Sequence, residues 1–151
     1  MEWIKDIGTL DYDPDRGRLD SGRQRNWLVL NVGPGMSSLA RYWIHQNPVY
    51  YGFAKLDVKK PIFYPHVSIV RGEQLKNPDM WKKYQGCRVE YEYTIEPHIT
   101  RGNKGESVNA QFFFVYARSP WFSNLRKELG LHTHRPDGSE LHYHITVGKL
   151  Y

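Results

Sequence analysis

The pattern of apolar and polar positions predicts several strands and two helices along the 151 residues. Apolar runs, or apolar residues at alternate positions, are typical of strands, which are predicted at 27–32, 50–57, 64–70, 88–95, 109–116 and 141–149. Apolar positions three and four residues apart predict helices at about 36–46 and at 119–129. Ser37 or Ser38 can cap the first helix, and Ser119, which is followed by proline, can cap the second.

The same order of elements occurs twice in the chain. In residues 26–72 and again in residues 88–151, a buried strand is followed by a helix and later by a strand in which histidine stands two positions before a hydroxyl residue. Such a duplication indicates two similar lobes related by an approximate twofold axis. We therefore expect a single domain with a two-lobed, duplicated α+β fold, in which antiparallel sheets flank a central cleft and the helices lie outside. Residues 1–25 are expected to form an N-terminal loop or arm.

The two strands with histidine carry the candidate chemistry. Because alternate residues of a strand share a face, His66 lies on the same face as Ser68. His144 lies in the same way on the face of Thr146. Two such pairs facing one another would supply two imidazoles for proton transfer and two hydroxyls for binding an oxyanion. These are the groups that cleavage of a phosphodiester needs when no metal takes part.

A third histidine, His98, also stands two positions before threonine. It falls where a predicted strand runs out into the basic turn 101–105, and no strand–helix unit precedes it as the repeat requires. We therefore expect His98 to lie outside the site that the other two motif histidines form.

Composition and charge narrow the class of protein. The formal net charge is +5 and the aromatic content is 15%, which favours anionic partners such as nucleotides or RNA and a surface on which bases can stack. The single cysteine, Cys87, excludes an internal disulfide and fits a reducing compartment. No apolar run is long enough to span a membrane, and the first residues lack a signal-peptide pattern. We therefore expect a soluble, cytoplasmic protein without a membrane partner.

Five further residues are candidates for substrate binding. A loop near the N-terminus, rich in Pro, Gly and Asp, contains Tyr12, whose ring can stack on a base. The same loop contains Arg16 and Arg18, whose guanidinium groups suit phosphate. Tyr64 and His142 each stand two residues before a motif histidine, so strand alternation places them on the face of the cleft.

On these residues the chain resembles the two-histidine (2H) phosphoesterase superfamily, whose members carry two H-x-[T/S] motifs, one in each lobe of a duplicated α+β fold. The match covers roughly residues 26–151, and Ser68 departs mildly from a pattern that often has threonine in both motifs. The resemblance implies a metal-independent phosphodiesterase with no cofactor, in which His66 and His144 are the general acid and base in either order. It also implies that Ser68 and Thr146 hold the nonbridging phosphate oxygens.

The resemblance also implies the kind of substrate. Members of the superfamily act on cyclic phosphates, RNA ends or cyclic nucleotides. The small size and the N-terminal loop rich in arginine and aromatic residues are similar to those of phage enzymes that degrade the cyclic oligonucleotide signals of bacterial antiviral defence. The expected reaction is cleavage of 3′-5′ phosphodiester bonds in cyclic nucleotides or oligonucleotides. The alternative within the superfamily is an RNA-end-processing 2′,3′-cyclic phosphodiesterase or an enzyme like the 2′-5′ RNA ligases.

Two interpretations from other classes stay open. Four histidines bracket a predicted hairpin turn and can converge as zinc ligands: His132, His134, His142 and His144. That arrangement leaves the first motif unexplained and supplies no carboxylate or thiolate ligand. The second interpretation is a noncatalytic RNA-binding module, in which the basic and aromatic residues form a stacking groove.

Overall fold

The structure is a computed structural model that describes residues 2–14, 26–45, 49–51, 54–56, 64–101 and 111–150. Within them the chain forms nine strands: β1 (Trp3–Tyr12), β2 (Trp27–Asn31), β3 (Val49–Tyr51), β4 (Ala54–Leu56), β5 (His66–Arg71), β6 (Arg88–Thr94), β7 (His98–Arg101), β8 (Gln111–Arg118) and β9 (Tyr143–Leu150). The same residues form two α-helices, α1 (Pro34–His45) and α2 (Pro120–Glu128), and a short 3-10 helix at Pro78–Met80. In this described part of the chain, neither α-helix is long and apolar enough to cross a membrane.

Six strands form a closed antiparallel barrel in the order β6-β1-β2-β5-β9-β8. Pairing of β6 with β8 closes it, with Glu92 opposite Arg118 and Tyr93 opposite Ala117. β7 pairs with another part of β8, and β3 and β4 form a separate hairpin. The expected two-lobed α+β fold, with sheets flanking a cleft and helices outside, is therefore wrong. The described residues are mostly sheet, and both halves of the repeat belong to one barrel.

β1 connects the two halves of the barrel by pairing with a strand of each. It pairs with β2 on one side and with β6 on the other, the latter over seven residue pairs. The expectation that residues 1–25 form a loop or arm is therefore wrong for β1. The alternate positions of β1 that face the core include Asp6 and Gly8, and these two residues interrupt the apolar alternation that predicts a strand.

The start of α1 is determined by contacts from two strands rather than by a local serine. The helix begins before Ser37 and Ser38, so neither residue is its cap. Asp6 in β1 instead accepts hydrogen bonds from the Met36 amide (3.1 Å) and the Tyr91 hydroxyl (2.9 Å). The carboxylate thereby satisfies one of the amides that a helix leaves unpaired in its first turn.

Gly33 lets α1 approach β1 this closely. A Cβ atom on Gly33 would collide with the carbonyl oxygen of Ile7 and with the side chain of Asp6. The Gly33 amide also donates to the hydroxyl of Tyr91 at 3.2 Å. Burial raises the pKa of Tyr91, so its hydroxyl stays protonated and can donate to Asp6 while it accepts from Gly33.

The second helix and most strands follow their predictions. Ser119 caps α2 by accepting a hydrogen bond from the Trp121 amide at 3.3 Å. Gly130 follows the end of the helix with a φ of 75°, a conformation that glycine adopts without steric cost. The predicted strands are present as β2, β5, β6, β8 and β9, with ends shifted by a few residues, and the strand predicted near 50–57 is the hairpin of β3 and β4.

One hydrophobic core joins the barrel strands to both helices. Its buried side chains include Leu10, Tyr12, Leu28, Leu30, Met36, Ala40, Val67, Ile69, Val89, Tyr91, Phe113, Val115, Phe122, Leu125, Ile145 and Val147. Full burial of one large apolar side chain contributes about 1.5–3 kcal/mol. The core-facing residues of β5 and β9 therefore determine which residues of these strands face the other way.

Arg126 connects α2 to β5 and to the segment that precedes β9. Its side chain is 5% exposed and donates to both carboxylate oxygens of Glu73, at 2.6 and 2.7 Å. It also donates to the carbonyl oxygens of Ile69 in β5 (2.9 Å) and of His132 (2.6 Å). Charge-assisted bidentate contacts of this kind are stronger than neutral hydrogen bonds. Arg126 thus fixes the position of β5 relative to the segment that leads into β9.

Replacing Arg126 by methionine should lower the free energy of unfolding by about 3 kcal/mol, because the Glu73 carboxylate and two carbonyl groups lose their donor. Urea unfolding followed by tryptophan fluorescence measures the change. Lys127→Met, at the neighbouring exposed position of α2, is the matched control and should alter stability by less than about 0.5 kcal/mol. Equal losses in the two variants would show that the Arg126 contacts add nothing specific.

Candidate active site

β5 and β9 are adjacent antiparallel strands, with Val67 opposite Ile145. Both side chains are fully buried in the core, so the residues next to them in each strand point to the opposite face of the sheet. The histidine and the hydroxyl residue of each motif occupy those neighbouring positions. The two motifs therefore lie side by side on one face, within a single barrel rather than between two lobes.

The register places each motif histidine opposite the hydroxyl of the other motif. Extending the pairing by one residue brings His66 opposite Thr146, and in the other direction it brings Ser68 opposite His144. Directly opposite residues have Cβ atoms about 4.5–5.5 Å apart, and diagonal residues are about 7–8 Å apart. We call these four residues the motif quartet. Its two imidazoles lie on one diagonal and its two hydroxyls on the other.

His66 is oriented by a backbone carbonyl and an indole ring. Its Nδ1 lies 2.7 Å from the carbonyl oxygen of Tyr64. Because a carbonyl oxygen only accepts, Nδ1 carries the proton in this hydrogen bond, and Nε2 is the unprotonated nitrogen of the neutral ring. The indole of Trp27 packs against the imidazole at an interplanar angle of 78°, with 5.6 Å between ring centroids. Both contacts restrict the imidazole to one orientation.

Trp27 also positions the hydroxyl of Ser68. The indole Nε1 donates to Ser68 Oγ at 3.1 Å. Because an indole nitrogen only donates, Ser68 is the acceptor, and its own proton can be donated to another partner such as an anion. The indole is 1% exposed, and the guanidinium of Arg71 lies 4.8 Å from its ring centroid. The contact joins residues 41 positions apart, so it could not be predicted from the sequence of the motif.

His144 lies against aromatic side chains of β8. Tyr116 is directly opposite His144 in the register of β8 and β9. The ring of Phe114 is inclined by 71° to the imidazole, with 5.6 Å between centroids. Although His144 as a residue is exposed to solvent, partial loss of water around its ring lowers the pKa of His144. The neutral form of His144 is therefore favoured near neutral pH.

His98 lies on the same face as the quartet but in β7, which is separated from β9 by β8. It begins β7, where it is opposite Phe114, and its ring centroid is 4.9 Å from that of Tyr116. Pairing with β8 holds this segment in a strand, whereas its own sequence runs into a turn. At about 4.8 Å per strand, the three steps from β7 to β5 separate His98 from His66 by about 14 Å. His98 therefore lies outside the quartet, on the same face of the sheet.

Tyr12 lies in the core and not in an exposed loop. It ends β1, is 4% exposed, and packs against Trp81 with 4.9 Å between ring centroids. Burial raises the pKa of Tyr12 to about 12. Its expected role as a free stacking ring is therefore wrong, because the ring would have to leave the core to meet a base. Arg16 and Arg18, the other candidates from this segment, lie outside the described residues.

Tyr64 and His142 are both exposed, but they point to different neighbours. The Tyr64 hydroxyl donates to the carbonyl oxygen of Val32 at 3.2 Å, so its ring lies toward the end of β2. The ring of His142 lies 6.3 Å from that of Tyr116. Of the two, His142 faces the aromatic side of the quartet.

The four histidines of the alternative metal site do not converge. Among the residues that the structure describes, no group of three or more His, Cys, Asp or Glu side chains is arranged to hold a metal ion. His134 pairs with Glu140 across the predicted turn, and its Nδ1 lies 2.9 Å from the Thr133 hydroxyl. The turn is present, but it does not gather the imidazoles into one cluster.

Comparison with protein-family models, with curated proteins and with solved structures finds no match for the chain. The assignment of a function therefore rests on the geometry of the chain's own residues.

Phe114→Ala should raise the pKa of His144 toward the ordinary histidine value of about 6.5, because removal of the ring admits water to the imidazole. NMR spectra of the histidine rings recorded across pH measure the change, with His144 assigned by its loss in His144→Gln. Trp121→Ala removes a ring that is 38% exposed on α2 and should leave the titration unaltered. An unchanged titration in Phe114→Ala would show that burial by this ring does not set the pKa.

Proposed function

We propose that the protein is a metal-independent phosphodiesterase that uses the motif quartet for acid–base catalysis. The observation that carries the proposal is the pairing of β5 with β9, which brings two imidazoles and two hydroxyls together on one face. Displacement at phosphorus needs a proton acceptor, a proton donor and hydrogen-bond donors for the phosphate oxygens. The same four residues carry the resemblance to the 2H phosphoesterases.

The reaction moves one proton at each end of the displacement. One imidazole removes the proton of the attacking hydroxyl, either a ribose 2′-hydroxyl or water, as its oxygen bonds to phosphorus. The other imidazole gives a proton to the oxygen whose bond to phosphorus breaks. Ser68 and Thr146 donate hydrogen bonds to the nonbridging oxygens, where negative charge grows in the transition state.

The two histidines have different surroundings, and we assign the roles of general acid and general base from this difference. His144 is the general base, because burial lowers its pKa and favours the neutral ring that can accept a proton. His66 is the general acid. Its Nδ1 donates to the Tyr64 carbonyl, and this hydrogen bond strengthens when protonation of Nε2 makes the ring a cation.

Nucleotides are the substrates that best match the surroundings of the quartet. The net charge of +5 attracts anions, and the rings of Phe114 and Tyr116 beside His144 can receive bases. Within this class the proposed substrates are 3′-5′ cyclic oligonucleotides of the kind used as antiviral signals, which a viral enzyme would degrade in the host cytoplasm. RNA ends with a 2′,3′-cyclic phosphate are the second candidate.

A substrate panel tests the class of reaction. Linear RNA, 2′,3′-cyclic nucleotides and 3′-5′ cyclic oligonucleotides are incubated with the protein, and the products are separated by chromatography. Cleavage of the cyclic oligonucleotides alone supports the first substrate class. Tight RNA binding with no cleavage of any member would instead support the noncatalytic RNA-binding module.

His66→Ala and His144→Ala should each lower kcat/KM by about a hundredfold to ten-thousandfold, since each removes one proton-transfer partner. The double variant should be far less than multiplicatively worse, because the pair acts as a unit. Steady-state kinetics measure these changes, and calorimetry should show little change in substrate binding. His132→Ala is the control, because His132 is exposed and the substitution keeps the carbonyl that Arg126 uses.

Two further results would contradict parts of this mechanism. Activity that is lost in EDTA and restored by zinc would assign the chemistry to a metal.

In Phe114→Ala, the acid limb of the plot of kcat/KM against pH should move to higher pH together with the pKa of His144, because the base must be neutral to act. A shift of the alkaline limb instead would make His144 the acid.

Trp27→Phe should lower kcat/KM by about ten- to a hundredfold, mostly through kcat, because Ser68 loses the donor that orients its hydroxyl. The same kinetic assay measures the effect. Trp81→Phe is matched to it, since the Trp81 indole also donates one hydrogen bond, to Asp13 at 2.9 Å, but makes none to the quartet. Similar losses of kcat/KM in both variants would show that Trp27 has only a structural role.

A further inference from the structure

A cleft of about 640 Å³ opens beside the motif quartet. It lies between the junction of β8 with α2 and the segment that leads into β9, and its lining includes Trp3, Tyr116, Arg118, Glu140 and His142. Sites for small organic ligands have volumes of about 300–1,000 Å³. None of these residues has a role in the proton transfers proposed above.

The cleft adjoins the quartet through Tyr116. This residue is directly opposite His144 in the register of β8 and β9, so one strand spacing of about 4.8 Å separates them. The ring of His142 lies 6.3 Å from that of Tyr116 and continues the aromatic surface into the cleft. In a nucleotide, one sugar separates the phosphate from the base. A phosphate at the quartet would therefore have its base within reach of the Tyr116 ring.

Neighbouring rings hold Tyr116 in one position. Phe114 packs against it at 87°, with 5.4 Å between centroids, and His98 lies 4.9 Å away on the next strand. The backbone amide of Tyr116 donates to the hydroxyl of Thr94 at 3.0 Å. An aromatic face that is already ordered loses little conformational entropy when a base stacks on it.

The charges of the cleft favour an uncharged ring over a second phosphate. Arg118 already pairs with Glu92, with 3.2 Å between Nε and Oε1. Its guanidinium also lies 4.0 Å from the ring centroid of Trp3. Glu140 adds a second carboxylate to the lining. Carboxylates accept hydrogen bonds from the N–H groups of bases, and they repel phosphate.

From these contacts we infer that the cleft is a nucleobase subsite, which holds the base of the nucleotide whose phosphate lies at the motif quartet. The base stacks on Tyr116 and His142. The inference deepens the proposed phosphodiesterase function and rests on it for the position of the phosphate.

Calorimetric titration with AMP and with ribose 5-phosphate tests the subsite without turnover, because the two ligands differ only in the base. AMP should bind the wild-type protein more tightly. Tyr116→Leu should weaken AMP binding about 5- to 150-fold, which corresponds to the stacking of one base, and should leave ribose 5-phosphate binding unchanged. Tyr116→Phe keeps the ring and should bind AMP like the wild type.

Two more variants provide a control and a second, independent test of the subsite. Tyr42→Leu removes a tyrosine that is 48% exposed on α1, and it should not alter the binding of either ligand. His142→Leu changes an exposed residue before β9, so it provides a measurement even where Tyr116→Leu fails to fold. It should weaken AMP binding and spare ribose 5-phosphate.

Equal affinity of the wild-type protein for the two ligands would overturn the subsite, as would an equal loss of both in the Tyr116→Leu and His142→Leu variants. These results are separable from catalysis. A preference for AMP that requires Tyr116 supports the subsite even where no phosphodiester of the panel is cleaved. Cleavage without such a preference would keep the catalytic proposal and remove the subsite.

Discussion

The register between β5 and β9 is the constraint on which the candidate site depends. A slip of one residue turns every side chain of a strand to the other face, so it would bury one motif and leave the other outside. Burial of Val67 and Ile145 opposes the slip, at about 1.5–3 kcal/mol for each side chain. Arg126 of α2 also restrains these strands, because it donates hydrogen bonds to the carbonyl oxygens of Ile69 in β5 and of His132 ahead of β9.

Features that depend on a few neighbouring residues could be predicted from the sequence. Alternation within a strand placed His66 with Ser68 and His144 with Thr146, since side chains two apart share a face whatever the fold. The start of α2 at Ser119 was predictable for the same reason, because a cap and a proline act locally. Closure of the barrel was not predictable. It depends on β1, in which Asp6 contacts the start of α1 and Gly8 lies against Leu30 and Asn31 of β2. These two residues interrupt the apolar alternation and so conceal the strand.

Contacts between residues on different strands could not be predicted from the sequence either, and they decide which residues surround the quartet. The sequence after His98 predicts a turn, whereas pairing of β7 with β8 sets the face on which His98 lies. The polar neighbours of Tyr12 in the chain predict a loop, whereas its ring packs with Trp81 in the core. The indole of Trp27 reaches Ser68 only because β2 lies beside β5. In each case the decisive neighbour is distant in sequence, so no local pattern records it.

The two motifs follow the same pattern of histidine, apolar residue and hydroxyl residue but have unlike neighbours. In the proposed mechanism this difference separates the roles of the two histidines. His66 in β5 is held by directional contacts with Trp27 of the neighbouring strand β2 and with the carbonyl of Tyr64, two residues earlier in the chain. β9 lies beside β8, where aromatic rings remove water from His144 and lower its pKa. Two equivalent imidazoles would compete for the same proton, whereas environments that differ can assign one to accept and the other to donate. The asymmetry also places the rings of Phe114, Tyr116 and His142 on the β8 side of the quartet. In the proposed mechanism, a bound nucleotide would therefore extend from the quartet across β8, and its base would lie on the same side as His144, the proposed general base.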